Sequence, residues 1–267
     1  MLMTQRKPIL WSRWLQILLA TLLVLVAANT NAAEARIAVA SNFRDTALAI
    51  AEQLEAKSPH RYQIIAGSTG KLASQIVNGA PFDILMAADQ RRPYELASLG
   101  LATPDSVMTY AMGELGLWWP KGPDVLKVEK LAELPPGQVC IANPAFAPYG
   151  DAAMAVLSAK SMDMDWLDGL IRVDNVNLVT AWVATGQAQV GFVARSAMIA
   201  AQRKGETQVS SDELVWLEDH PPIAQAMAVM TRAANNPAAA FWARQLSMES
   251  IQMLLERDGY RIPQVIQ

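Results

Sequence analysis

Arg36-Ile37-Ala38-Val39-Ala40-Ser41-Asn42 runs without a break into Phe43, Ala47, Ile50, Ala51 and Leu54, which recur at helical spacing. An apolar strand thus ends in a small polar residue, and an amphipathic helix begins at once. The chain repeats this construction three times. Gln63-Ile64-Ile65-Ala66-Gly67-Ser68-Thr69 precedes a helical pattern over 71–77. Val139-Cys140-Ile141-Ala142 leads to Pro148-Tyr149-Gly150-Asp151, and Leu170-Ile171-Arg172-Val173 leads to Asn175-Val176-Asn177. Strands alternating with helices predict parallel βαβ units, with any ligand at the carboxyl ends of the strands.

A helix start carries backbone N–H groups without intrahelical partners and the positive end of the helix dipole. Several such starts aimed at one point would hold an oxyanion with no catalytic side chain. Taken singly, each Ser, Thr or Asn at these junctions is a helix cap, worth on the order of 1 kcal/mol.

Two α/β sets share the chain. The first has strand-like runs over 37–40, 62–66 and 83–87, with helices over 43–56, 71–78 and 93–99. The second occupies 116–194, followed by apolar runs at 214–217 and 223–230 and helices around 237–246 and 249–257. The apolar stretches 107–117 and 224–231 are the natural crossings between the sets. The expected domains are lobe I, 36–112 plus 224–267, and lobe II, 113–223, closing over a cleft like a hinge.

Residues 1–35 have the layout of a cleavable secretory signal. Arg6, Lys7 and Arg13 precede an apolar core over 15–28, and small residues follow, with a cut expected between about 32 and 35. The expected location is the periplasm. Removing those three basic residues takes the formal charge from −3 to −6, which speaks against nucleic acid as a partner. The one cysteine, Cys140, lies in an apolar run and reads as a buried strand residue; it leaves no intramolecular disulfide to hold the fold.

Catalytic patterns are missing. His60 and His220, the only histidines, read as surface turns, and no CxxC, HExxH or Gly-x-Ser-x-Gly pattern occurs. Gly67-Ser68-Thr69-Gly70-Lys71 has the end of a phosphate loop but lacks its first glycine. Asp45, Asp89 and Asp151 read as helix first-turn residues. Neither an enzymatic role, nor a cofactor, nor a direct cation site is expected.

Five segments occur in one order: Ala38-Val39-Ala40-Ser41-Asn42-Phe43; Gly67-Ser68-Thr69-Gly70-Lys71-Leu72; Gly79-Ala80-Pro81-Phe82-Asp83-Ile84 with Ala87-Ala88-Asp89-Gln90; Asn143-Pro144-Ala145-Phe146-Ala147-Pro148-Tyr149-Gly150; and Val176-Asn177 ahead of Gly186-Gln187-Ala188-Gln189-Val190-Gly191-Phe192-Val193. Together they resemble the periplasmic molybdate-binding proteins of ABC importers, over about 36–263.

The resemblance implies a two-lobe type II periplasmic binding protein, each lobe a mixed, mostly parallel sheet flanked by helices, with the ligand in the interlobe cleft. It also implies molybdate or tungstate as ligand, delivery to an ABC transporter permease at the inner membrane, and a monomer. By family position the ligand residues are Ser41 with Asn42 beside it, Ser68 or Thr69 from the second loop, and the backbones of Tyr149 and Val176. Many relatives add a tyrosine side chain at the position that is Ala194 here, and the Tyr149 phenol is the expected replacement. Molybdate at neutral pH is a dianion with acceptor oxygens only, so a ring of neutral donors suits it. Phosphate, which keeps a proton, would want an acceptor in the ring. Another oxyanion, a small organic acid, or an exported enzyme on the same fold are the alternatives.

Overall fold

The computed structural model describes residues 32–123 and 125–263. Most of the expected signal, residues 1–31, lies outside the described residues. Among the described residues, 32–123 and 125–263, no helix is long and apolar enough to cross a membrane.

The first sheet is built from β1 (Glu34–Ala40), β2 (Arg61–Gly67), β3 (Ile84–Met86), β4 (Met108–Gly113) and β10 (Ile223–Val229), in the order β2-β1-β3-β10-β4. β1 runs parallel to β2 and β3, with Ile37 opposite Ile64 and Ile84, while β10 is antiparallel to β3 and β4. Burial explains why β1 is central. Ile37 through Ala40 are all inside, so the strand reads as a continuous apolar run rather than an alternation. Its residues still part between two cores. Ile37 and Val39 pack with α1 (Arg44–Glu55), α8 (Pro237–Gln245) and α9 (Glu249–Arg257), through Ile50, Leu54, Trp242 and Leu255. Ala38 turns to the other face, toward Leu72 and Ile76 of α2 (Thr69–Val77) and Leu96 of α3 (Arg91–Ser98).

The second sheet repeats the plan with β5 (Leu115–Trp118), β6 (Val139–Ala142), β7 (Ile171–Val173), β8 (Val190–Ala194) and β9 (Leu214–Trp216), ordered β7-β6-β8-β5-β9. β6 is parallel to β7 and β8, and β5 is antiparallel to β8 and β9. Its helices are α4 (Pro148–Ala159), α5 (Met164–Asp168), α6 (Val176–Ala184) and α7 (Arg195–Arg203). The junction before α4 needs a glycine, because a Cβ on Gly150 would lie 2.0 Å from the Ala142 carbonyl oxygen. Only a bare backbone lets the first turn of α4 sit that close to the end of β6.

The chain leaves the first sheet after Gly113 and enters the second at Leu115, so Glu114 is one crossing. The return differs from the sequence expectation of a crossing over 224–231. β10 lies wholly in the first sheet, paired on both sides, and the chain comes back over 217–222. Periodicity marks 224–231 as a strand but carries no information on which sheet receives it.

Candidate functional site

Four strand ends feed helix starts toward the seam between the two sheets. After β1 comes a short 3-10 turn, Ser41–Phe43, whose N-cap is Ala40 and so has no capping side chain. Ser68 occupies the N-cap position of α2 yet makes no capping hydrogen bond, and its Oγ is buried without a partner. Ala147 caps α4 and likewise offers nothing; Pro148 at the first helical position has no N–H, so Tyr149 presents the first free one. At α6 the Asn175 side chain accepts from the N–H groups of Asn177 and Leu178, which leaves that of Val176 for a partner outside the helix. These starts belong to helices whose end carbonyl–amide dipoles favour an anion.

Ser41, Asn42, Ser68, Thr69, Tyr149 and Val176 are all buried, none more than 8% exposed. The lobes meet around them. Asn177 Nδ2 donates to the Ser41 carbonyl at 2.8 Å, and the Gly70 N–H donates to the Phe146 carbonyl at 2.8 Å. Lys71 Nζ lies 2.5 Å from Asp174 Oδ2 and 4.7 Å from the centre of the Phe146 ring. Farther along the seam Lys204 pairs with Asp45 at 2.8 Å, and Arg203 pairs with Asp258. These contacts hold the two lobes together beside the six residues.

Their side chains are used unequally. Thr69 Oγ1 accepts the Ala88 N–H at 3.0 Å, which uses a lone pair of this hydroxyl and leaves its hydrogen. Both amide hydrogens of Asn42 are spent inside the protein, on Gln225 Oε1 at 3.0 Å and the Tyr260 hydroxyl at 3.1 Å. What Asn42 has left to donate is its backbone N–H. The Tyr149 phenol reaches back to the crossing. Its oxygen accepts from Gln225 Nε2 at 3.4 Å, and a Cβ on Gly113 would lie 2.2 Å from it, so Gly113 makes the room the phenol occupies. Burial pushes the Tyr149 and Tyr110 hydroxyls well above 10, and Tyr260 upward as well, so all three remain O–H donors at neutral pH. Ala194, buried at the end of β8, has no polar side chain to offer.

Cations near the seam are already neutralised: Arg92 is buried against Asp89, and Lys71 is paired with Asp174. Among the described residues no group of three His, Cys, Asp or Glu side chains could hold a metal ion. Cys140 is fully buried, and burial pushes its thiol up to about 12, which makes it inert.

His60 corrects the sequence reading. Instead of a surface turn it is buried, its ring 5.6 Å from that of Phe241 in α8, a helix 181 residues further along the chain. His220 does lie in a bend, half-buried, with Nδ1 2.7 Å from the Pro221 carbonyl. The residues that sequence reasoning passed over are Gln225, Tyr110 and Tyr260. Gln225 had a signal: it is the single polar residue in the strand Ile223-Ala224-Gln225-Ala226-Met227-Ala228-Val229.

Comparison with known proteins agrees with this geometry. The bacterial extracellular solute-binding protein family matches residues 35–261. The molybdate-binding protein ModA of Azotobacter vinelandii is 34% identical over 242 residues, covering 88% of this chain and 93% of that protein. ModA of Rhodobacter capsulatus is 31% identical over 244 residues, covering 90% and 94%. The solved structure of the Azotobacter vinelandii periplasmic molybdate-binding protein superposes with a TM-score of 0.76 at 29% identity, over 86% of this chain and all of that one. On its sequence, its paired five-stranded sheets and these relatives, the chain belongs to the bacterial extracellular solute-binding protein family.

Proposed function

We propose that the protein captures molybdate, and tungstate with it, in the periplasm and delivers it to the permease of an ABC importer. The observation that carries this reading is the set of uncapped helix starts from both lobes around a buried Ser68 hydroxyl that has no partner. Buried polar groups are ordinarily hydrogen-bonded, and one left unmet in the middle of four helix starts is a donor waiting for an acceptor. The proposed contacts are the Ser41 hydroxyl and N–H, the Asn42 N–H, the Ser68 or Thr69 hydroxyl, the Tyr149 N–H and phenol, and the Val176 N–H. Hydrogen bonds to a charged acceptor are about twice as strong as neutral ones, so a few neutral donors suffice for a desolvated dianion. Relatives that are themselves molybdate-binding proteins support the choice of ligand.

The same reading takes 36–113 plus 223–267 and 114–222 as the two lobes, each bound moved by one residue from the sequence expectation because Gly113 ends β4 and Ile223 begins β10. It takes residues ahead of the first strand as a cleaved export signal, and the mature protein as a monomer without catalytic activity. The test is titration of the mature protein with molybdate, tungstate, sulfate and phosphate, followed by tryptophan fluorescence. Molybdate and tungstate should bind tightly and nearly alike, because their size and charge are close, and sulfate and phosphate weakly. Equal affinity for sulfate and molybdate would leave an oxyanion site but remove the molybdate assignment. Binding of a small organic acid in preference to every inorganic anion would replace it.

A further inference from the structure

Gln225 is fully buried on β10, where the ladder to β4 shifts register between Gln225 and Ala226. It stands between two of the residues assigned to the ligand, Asn42 of one lobe and Tyr149 of the other. Amide orientation is ordinarily ambiguous, since the oxygen and nitrogen differ little in shape. Here one backbone carbonyl settles it for both amides. The Tyr260 hydroxyl lies 2.9 Å from the Asn42 carbonyl oxygen, which can only accept, so the single phenolic hydrogen of Tyr260 is committed there.

The Asn42 side-chain atom 3.1 Å from that hydroxyl must then be a donor, Nδ2. The same nitrogen is 3.0 Å from Gln225, so the Gln225 atom facing it is the acceptor Oε1. Tyr110 does not decide the orientation: its hydroxyl is 3.3 Å from Oε1 and 3.2 Å from the Ala87 carbonyl, and its one hydrogen is shared between them. The remaining Gln225 atom, Nε2, is a donor, and it faces the Tyr149 phenolic oxygen at 3.4 Å. Asn42 Nδ2 therefore donates both to the Tyr260 oxygen and to Gln225 Oε1, Gln225 Nε2 donates on to the Tyr149 oxygen, and none of these bonds uses the Tyr149 hydrogen.

We infer that Gln225 is a positioning and selectivity residue: by occupying the acceptor side of the Tyr149 phenol it keeps the phenolic hydrogen free for the bound anion and makes position 149 a donor only. The inference rests on the reading of Tyr149 as a ligand contact. Its consequence is chemical. A fully deprotonated oxyanion meets donors throughout, whereas hydrogen phosphate brings a proton that needs an acceptor, and the phenol oxygen that could supply one is taken by Gln225.

The test uses full-length mature protein with molybdate and inorganic phosphate as probes. Gln225→Leu should lower molybdate affinity about tenfold, the size of one hydrogen bond to a charged group, and narrow the preference over phosphate. The same substitution made in a Tyr149→Phe background should cost little more, because its effect runs through the phenol. Gln225→Glu keeps the shape but adds a carboxylate that accepts the phenolic hydrogen. Its molybdate affinity should be poor at pH 8 and recover as pH falls to about 6, since burial raises a carboxyl pKa, while the wild type stays flat.

Additive losses in the Leu and Phe variants, or a Gln225→Glu protein with wild-type affinity and a flat profile, would overturn the role of Gln225. Should Gln225→Leu not fold, the pH profile of the near-isosteric Glu variant decides alone. Wild-type protein that binds neither molybdate nor tungstate overturns the functional reading itself, and the role of Gln225 with it; wild-type binding with an unaffected Glu variant overturns only the latter.

Discussion

Asn177 reaches across the cleft to donate its amide hydrogen to the backbone carbonyl of Ser41, 2.8 Å away. The first turn of α6 is thereby tied to the end of β1, one residue from Val176 on one side and at a proposed ligand residue on the other. Oδ1 of the same amide is buried with no partner. Because the bond spans the lobes rather than lying in either core, it stabilises closure more than folding.

Asn177→Ala should therefore weaken molybdate binding by about 0.5–1.5 kcal/mol, the net value of a neutral hydrogen bond, roughly a two- to tenfold change in affinity. The melting temperature of the ligand-free protein should hardly move. A lowered melting temperature with wild-type affinity would mean that the contact only supports the second lobe.

The strand–helix junctions were legible in the chain because both halves of each carry a local period, and Ser41, Ser68, Tyr149 and Val176 sit at the join. What those residues do with their side chains was not legible. Asn42 spends its amide on Gln225 and Tyr260, which are 183 and 218 residues away, and no local pattern reports partners at that distance. His60 was misplaced for the same reason, its burial depending on Phe241. The crossing back to the first sheet escaped as well, since a strand has the same alternation whichever sheet it joins. Thr69 against Ser68 was a one-residue choice that sequence left open, and each hydroxyl still has a hydrogen to donate.

The exported chain should begin at or before Glu34. The sequence places the cut between about 32 and 35, but β1 begins at Glu34, pairs Glu34 with Arg61 and Ala35 with Tyr62, and buries Ala35 completely. Asn236 Nδ2 also donates to the Glu34 carbonyl at 2.8 Å. A cut after Ala35 would strip two residues from a central strand. The intact mass of protein recovered from the periplasm checks this, and a mature chain starting at Arg36 would contradict it.

Asp258 should set part of the acid sensitivity. Burial pushes its carboxyl upward, but donors from Arg203, Arg257 and Thr46 outweigh burial and leave the pKa below its ordinary 3.8. A carboxyl with a lowered folded pKa stabilises the fold above its unfolded value, and that contribution is lost as pH falls from about 3.8 through the folded value. Asp258→Asn should thus be less stable than wild type at neutral pH, and the gap should close below about pH 4. Urea unfolding of both proteins from pH 3 to 7 measures it; a gap independent of pH would show that the Asp258 charge is not what stabilises this corner.

Ser68 and Thr69, adjacent in the chain, should behave in opposite ways. The Ser68 hydroxyl is buried with no partner among the protein's own groups, so removing it takes away an unmet polar group. Ser68→Ala should leave the ligand-free melting temperature unchanged or raise it. Its molybdate affinity should fall by roughly 1.5–3 kcal/mol, the range for a hydrogen bond to a charged group. Thr69 is the reverse case. Its Oγ1 accepts the N–H of buried Ala88, and Thr69→Val keeps the shape while leaving that N–H with no acceptor. The expected cost is about 1–3 kcal/mol of folding stability, with the smaller change in affinity. Melting curves without ligand and titrations with molybdate, made on both variants, separate the two roles. Full affinity in Ser68→Ala would take its hydroxyl out of the donor ring, and a Thr69→Val protein that melts normally but binds poorly would put Thr69 there in its place.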